Sequence, residues 1–395
     1  GVMKEAPYAW VVVWATFFAL AIIFGVSYSF AAFFASFAGE FNAQRADVAL
    51  VFGLSGGVYF VFGAGAGMLA DRFGPRAVTC AGMLLIAAGL LLCSFAGSMS
   101  MVYAAYGVGV GLGIALVYTP SIACVQPWFT QRRGLAAGLA SAGIGAGTVA
   151  VPLIATAAIA LLQWRGAMRA MAVGVLILGL AATWLLRRAP AASAAHSEQI
   201  PGLSLKQALR DRRFWWLYAS IVLAAPSMFI PFAHVSAAAR DMGIDAASAV
   251  GLVGLIGIGS LVGRFVIGAL ADRLGRTLTL LLMQVSMGLS VLAWFVAAGY
   301  PMLVFFALWF GLSYGGIVSL LPAISMDLFG ARAVAGIIGT LYSGAALGNL
   351  LGPVLAGSVF DHTGSYVPVL WACMGLSALA AAASARLLAS RTATY

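Results

Sequence analysis

Arg264 is the residue whose type and position most invite chemistry. It lies in an apolar, helix-length stretch, 257–276, eight positions before Asp272, where the stretch turns polar. At about 1.5 Å of rise per residue, eight positions are roughly 12 Å, close to mid-depth of a bilayer whose apolar core is about 30 Å thick. An arginine there costs at least about 2.5–3.5 kcal/mol on insertion scales, so it should face a cavity or a partner. A planar guanidinium stays charged at any accessible pH and can bind a carboxylate through two parallel hydrogen bonds. The chemistry to expect is therefore capture of a small anion. The alternative, a structural ion pair, lacks a partner: the sequence places no acidic residue within an apolar run at that depth, and Asp327 falls near the end of its run.

Further polar residues could complete a shell around an anion. Ser260 stands four positions before Arg264, on the same helix face. Tyr118 and Tyr314 lie near Pro120 and Pro322 in two other runs, and Tyr28 and Asn349 are further candidates. A phenol can hydrogen-bond a carboxylate while its ring packs, and for each of these residues interhelical packing is the competing role. His234 follows Pro231 and could carry a proton near neutral pH, although a lone histidine in a membrane more often serves as an interhelical donor. No nucleophile–base pair, metal-ligand spacing or cofactor loop is present, so neither an enzyme, a metal nor a cofactor is expected. The four cysteines (Cys80, Cys93, Cys124 and Cys373) sit in or beside apolar runs and read as buried thiols. The series Gly107, Gly109, Gly111 and Gly113 lies within an apolar run with no preceding strand, which suits close helix contact rather than phosphate binding.

Composition says what must position these groups. Hydrophobic residues make up 63% of the 395 positions and charged residues 8%, where a soluble domain would carry about a quarter charged. Mean hydropathy is +1.04. This is the composition of a polytopic membrane protein. The net charge of +10 lies in short gaps between apolar runs, which excludes a nucleic-acid surface and matches the positive-inside pattern.

Twelve runs are long enough to cross a bilayer: 9–36, 48–70, 76–97, 100–126, 135–161, 166–187, 214–239, 247–271, 277–298, 301–326, 333–358 and 365–389. They are called spans 1 to 12 below. The first is too long for the core of a cleavable leader and is expected to be a true span. One gap is longer than the rest. It begins as a linker, then reads as a short basic amphipathic helix over 203–213. The expected division is a first bundle over 1–188, a linker over 189–213 and a second bundle over 214–395. With both termini cytoplasmic, sixteen of the 21 lysines and arginines fall on the inner side. Four (Arg45, Arg165, Arg169 and Arg240) fall on the outer side, and Arg264 lies within a span.

The halves repeat. Gly67-Met68-Leu69-Ala70-Asp71-Arg72-Phe73-Gly74 returns 201 positions later as Gly268-Ala269-Leu270-Ala271-Asp272-Arg273-Leu274-Gly275, and Pro152 and Pro353 share that offset. A repeat in the same orientation implies a pseudo-two-fold axis along the membrane normal, with a pathway between two six-helix bundles.

The two Gly-x-Leu-Ala-Asp-Arg-x-Gly loops resemble the signature loop of the major facilitator superfamily, and the match extends over the whole chain. Trp128-Phe129-Thr130-Gln131-Arg132-Arg133-Gly134, followed by Ala137, Gly138 and Gly143, resembles the span-5 signature of monocarboxylate transporters. Glu5-Ala6-Pro7-Tyr8-Ala9-Trp10 partly resembles their span-1 signature. The resemblance implies an all-α membrane protein of twelve transmembrane helices in two pseudo-symmetric six-helix bundles, the major facilitator fold. It implies that Arg264 binds the substrate carboxylate, and that Asp71, Arg72, Arg76, Arg132, Arg133, Asp272, Arg273 and Arg276 form gating loops. Animal members carry an aspartate where this chain has Ser260, and a span-1 lysine that this chain lacks. Oxalate:formate antiporters, a neighbouring branch, carry a second cation in span 11, where this chain has Tyr342 and Asn349.

The expected function is secondary transport of a small monocarboxylate such as lactate or pyruvate, by alternating access and coupled to protons, in the plasma (inner) membrane and as a monomer. With no carboxylate at mid-span, the proton would ride on His234 or on the substrate anion itself. Exchange of organic anions, as in oxalate:formate antiporters, is the alternative. A transporter-like sensor, which would ordinarily carry a long soluble tail, is a third reading.

Overall fold

The computed structural model describes residues 6–190 and 200–392. Lys4, Glu5 and the linker stretch 191–199 lie outside the described residues. Within them the chain is helical apart from turns and one isolated antiparallel bridge, Gly202 with Gly330.

Among the described residues, ten helices are long and apolar enough to cross a membrane, and a bent pair, Leu50–Val61 with Gly63–Phe73, adds an eleventh. The longest, Arg133–Trp184, has 52 residues and contains Gln163, whose φ of 61° and ψ of 174° break the helix. It holds both span 5 and span 6, so the observed helices account for all twelve expected runs. The expected polar gap between those spans is a sharp kink rather than a loop. Span 1 likewise breaks at Ser29, between Pro7–Tyr28 and Phe30–Glu40. Proline lies inside five spanning helices, at Pro120, Pro152, Pro322 and Pro353, and at Pro226 and Pro231 in Arg212–Asp241. Each proline removes one intrahelical N–H donor and so leaves a bend.

Compactness divides the chain into two units that are not continuous in sequence. The first comprises Gly1–Thr130, Leu139–Leu203 and Phe329–Thr340. The second comprises Gln131–Gly138, Ser204–Leu328 and Leu341–Tyr395. The first turns of spans 5 and 11 thus each group with residues of the opposite half of the sequence.

Helix contact in both units runs along small residues. In the first unit, span 4 passes through a π-helical stretch, Tyr103–Val110. Its glycines meet neighbours closely: Gly107 faces Leu54, and Gly113 faces Ile86 and the Gly82 carbonyl. In the second unit, Gly259 and Gly263 of span 8 face backbone of span 10 at Leu308 and Leu312, while Gly311 and Gly315 face Ile256 and Ser260 in return. Such contacts let backbones approach where lipid supplies no hydrophobic drive between helices. Phe30, Phe33 and Phe37 are buried packing residues rather than lipid-facing ones. Cys93, Cys124 and Cys373 are buried and Cys80 is half-buried, all as free thiols.

The basic stretch after the linker forms the short helix Leu205–Leu209. Ser204 accepts from the Gln207 amide, and the Gln207 side chain accepts from the Ser204 amide, a reciprocal capping box. Span 7, Arg212–Asp241, then starts on Asp211. Its carboxylate accepts the Arg213 backbone N–H at 2.9 Å and the Arg213 guanidinium at 2.7–3.2 Å. Partial burial raises the cost of that charge. The hydrogen bonds from the Arg213 side chain and backbone outweigh it and hold the carboxyl below its ordinary range. A depressed carboxylate adds stability that is present above its unfolded value of about 3.9 and is lost as pH falls through the lower folded value. Asp211→Ala should therefore cost about 1 kcal/mol of stability at pH 7. Thermal unfolding in detergent should show this difference at pH 7 and a smaller one below pH 3.

Candidate functional site

Arg264 sits on the span-8 helix Ala246–Leu274 and is 6% exposed. Its Nε donates to the Ser260 hydroxyl at 3.2 Å, so the i−4 serine predicted from spacing does reach the guanidinium. The contact holds the side chain along its own helix. Gly138, in the first turns of span 5, lies directly against the Arg264 carbonyl, where a β-carbon would collide with the backbone. Tyr314, on span 10 (Tyr300–Phe329), lies within electrostatic reach of the guanidinium. Its ring stands 5.1 Å from Phe232, edge to face, and 6.2 Å from Phe310 in a stacked row. A buried cation, a serine hydroxyl and a phenol backed by two phenylalanines thus converge in the second unit. Asn349 is half-buried on span 11, Val334–Thr363, also in the second unit.

Tyr118 and Tyr28 belong to the first unit and gather around Phe24. Tyr118 meets that ring edge-on at 4.9 Å, and Tyr28 lies 6.4 Å away. Tyr59, which the sequence did not single out, is 6% exposed and completes the cluster, 5.9 Å from Phe24. No spacing rule marks Tyr59, which lies on the helix Arg45–Val61 before the bend at Phe62.

His234 has both ring nitrogens engaged. Nε2 lies 2.7 Å from the Pro353 carbonyl, which can only accept, so Nε2 carries the hydrogen. Nδ1 then accepts from the Tyr366 hydroxyl at 3.0 Å. The ring ties span 7 to span 11 and to the start of span 12, as an interhelical donor does.

The two Asp-Arg loops share one device. In the first unit, the Asp71 carboxylate accepts the backbone N–H groups of Ala335 and Gly336, at 3.1 and 2.8 Å, at the start of span 11. In the second unit, the Asp272 carboxylate accepts those of Gly134 and Leu135, at 2.8 and 3.1 Å, at the start of span 5. Each carboxylate satisfies orphan donors at a helix N-terminus and meets the positive end of the helix dipole. The surroundings differ. Asp272 also pairs with Arg276 at 2.9 Å. Arg276 and Arg133 both bind Asp327, at 2.8 Å, around a cavity of about 270 Å³. Beside Asp71, Arg188 donates to the Asp71 and Ala70 carbonyls, closing the end of span 2. Arg76 lies over Trp184, 4.6 Å from the ring centre. Arg72, Arg132 and Arg273 are exposed. Asp327 and Arg188 escaped the sequence reading as loop partners because neither belongs to a loop motif and both are distant in the chain.

The two stretches that carry the finer resemblance meet in the first unit. Tyr8 packs on Trp128 at 5.5 Å and Trp10 on Phe129 at 5.1 Å. Between them the end of span 6 is fixed: the Tyr8 hydroxyl donates to the Leu185 carbonyl, Trp128 Nε1 donates to the Arg187 carbonyl, and the Arg187 guanidinium lies 3.6 Å over the Tyr8 ring.

Long apolar helices that cover the twelve runs, repeated capped loops and a buried mid-span cation define a multi-pass membrane transporter rather than an enzyme. The family model of the Major Facilitator Superfamily matches residues 16–329 and 227–394. The chain is 32% identical to Monocarboxylate transporter 13 of Bos taurus over 365 residues, which cover 92% of this chain and 85% of that one. It is 30% identical to Monocarboxylate transporter 3 of Rattus norvegicus over 375 residues, covering 92% and 76%. Among solved structures, that of the human organic anion transporter MFSD10 matches its fold with a TM-score of 0.75 at 15% identity, covering 96% of this chain and 100% of that one. The chain belongs to the Major Facilitator Superfamily and is monocarboxylate transporter-like.

The caps themselves can be tested. Asp71→Asn and Asp272→Asn should each cost about 1–3 kcal/mol, the worth of charged hydrogen bonds. Asp272→Asn should cost more, because it also strips Arg276 of a partner. Melting temperatures in detergent measure both, and equal losses would show that the Arg276 pair adds nothing.

Proposed function

We propose that this protein carries small monocarboxylates, such as lactate or pyruvate, across the plasma membrane by alternating access. The observation that carries the reading is Arg264, a permanent cation buried on span 8 with Ser260 on its Nε. A guanidinium also carries two terminal nitrogens, whose fork matches the geometry of a carboxylate. Ser260 and Tyr314 supply neutral hydrogen-bonding groups near it. Tyr118, Tyr28 and Asn349 are proposed as further contacts, and the phenylalanines beside Tyr314 limit substrate size. A single mid-span cation favours a monoanion over a dianion. The names of the relatives, monocarboxylate transporters of cow and rat, support the same substrate class.

The Asp71 and Asp272 caps, with Arg133, Arg276 and their neighbours, serve as gate contacts that break and reform on the cytoplasmic side, where both termini lie. Proton symport is the proposed coupling. Arg264 is not the proton carrier, since a guanidinium does not deprotonate in a protein. His234 or the substrate carboxylate is the candidate.

Uptake of labelled lactate into proteoliposomes, with and without an imposed pH gradient, tests the reading. Absence of uptake for every small monocarboxylate overturns it. Arg264→Lys should weaken half-saturation or rate by about 10–100-fold, as expected when a bidentate charged hydrogen bond is lost. Wild-type behaviour of that variant would remove Arg264 from the site. His234→Gln should retain exchange of lactate across the membrane. If it also keeps gradient-driven accumulation, the substrate anion carries the proton.

A further inference from the structure

The two aspartate caps are matched, yet their guards are not. Around Asp272 the guard is ionic, built from Arg276, Arg133 and Asp327. Around Asp71 it is a piece of the linker. Ile200 is 7% exposed and lines a cavity of about 50 Å³ together with Asp71, Pro120, Cys124, Arg188 and Ala335. The next three residues pair with the turn that leads into span 11. Leu203 N–H donates to the Phe329 carbonyl at 2.8 Å, and Ala331 N–H donates to the Pro201 carbonyl at 3.1 Å. Gly202 stands opposite Gly330 between these bonds.

Both glycines are required. Gly202 has φ of 126° and Gly330 has φ of 75°, conformations that side chains resist. A β-carbon on Gly202 would lie 2.6 Å from the Phe329 carbonyl oxygen, and one on Gly330 would lie 2.6 Å from the Gly202 α-carbon. Two such residues, one in the linker and one in the turn between spans 10 and 11, make a fitted joint. The ladder ends at Ala331, four positions before the first amide that Asp71 caps.

We infer that linker residues 200–203 form a strap that holds the start of span 11 on Asp71, and that the strap must come away in each transport cycle. It takes the place that the Arg–Asp cluster fills at the other cap. Holding is shared between the Ile200 side chain, which plugs the cavity, and the two backbone hydrogen bonds, which fix the turn. The inference rests on the alternating-access reading but not on the identity of the substrate.

Two measurements on the full chain test it. The first uses Cys124, which is 9% exposed in the cavity that Ile200 plugs. With Cys80, Cys93 and Cys373 replaced by alanine, maleimide labelling of Cys124 should be slow. Ile200→Ala or Leu203→Pro should speed it by about fivefold, the effect of one lost hydrogen bond or small contact on an opening equilibrium. Lys206→Ala, in the same linker but outside the strap, should leave it unchanged. Equal labelling in all variants overturns the strap whether or not lactate is carried.

The second measurement locks the strap. An antiparallel pair of the kind formed by positions 201 and 331 stands about 5.5 Å apart at the α-carbons, within disulfide reach. In a chain whose native cysteines are alanine, Pro201→Cys with Ala331→Cys should transport lactate when reduced, stop when oxidised and recover with reductant. Undiminished transport with the disulfide formed overturns the requirement for release. Loss of lactate transport in the wild type, with Cys124 labelling as expected, overturns the substrate reading and leaves the strap standing.

Discussion

A guanidinium inside an apolar helix is the constraint on which the rest of the structure depends. It cannot shed its charge, and burial makes that charge expensive. The helix that carries it must therefore be held close to its neighbours and supplied with polar contacts. Span 8 meets both needs. Gly259 and Gly263 bring it against span 10, Gly138 brings the start of span 5 onto the Arg264 carbonyl, and Ser260 occupies the guanidinium Nε. Tyr314 arrives with span 10 through the same close contact. The polar contacts and the tight helix packing meet around one buried charge.

The loops at the helix ends obey a related rule. Each spanning helix presents unpaired amides where it leaves the apolar layer, and these must find acceptors. Asp71 and Asp272 fill that need for spans 11 and 5, so each unit places a charged acceptor at a helix start. A carboxylate in that position is satisfied only while the helix start stays in register. This makes the contact suited to all-or-none breaking, unlike a salt bridge between long side chains, which can stretch and re-form.

Much of this was legible in the chain. The twelve runs, the repeated loop and the lone mid-span arginine follow from composition and period, and Ser260 follows from helical spacing. The partners of the loop aspartates did not follow, because Asp71 and Ala335 are 264 positions apart and backbone amides carry no signature in the sequence. Asp327 was visible only as a charge near a helix end. Tyr59 carried no motif, and although the gap at 162–165 was legible, its form, a kink at Gln163 within one helix, was not. Tyr366 lies at the start of span 12, and nothing about its position announced that it would complete His234. What the sequence withheld was long-range pairing decided by backbone path.

A chain made of two repeats has two of almost everything but only one joint between them. The capped aspartates recur in both halves. Beside Asp71 lie a peptide ladder, the Ile200 side chain and the Arg188 guanidinium, whereas Asp272 sits in a cluster of paired charges. Two matching caps thus sit in unlike surroundings, one beside a peptide ladder and one within a cluster of charges.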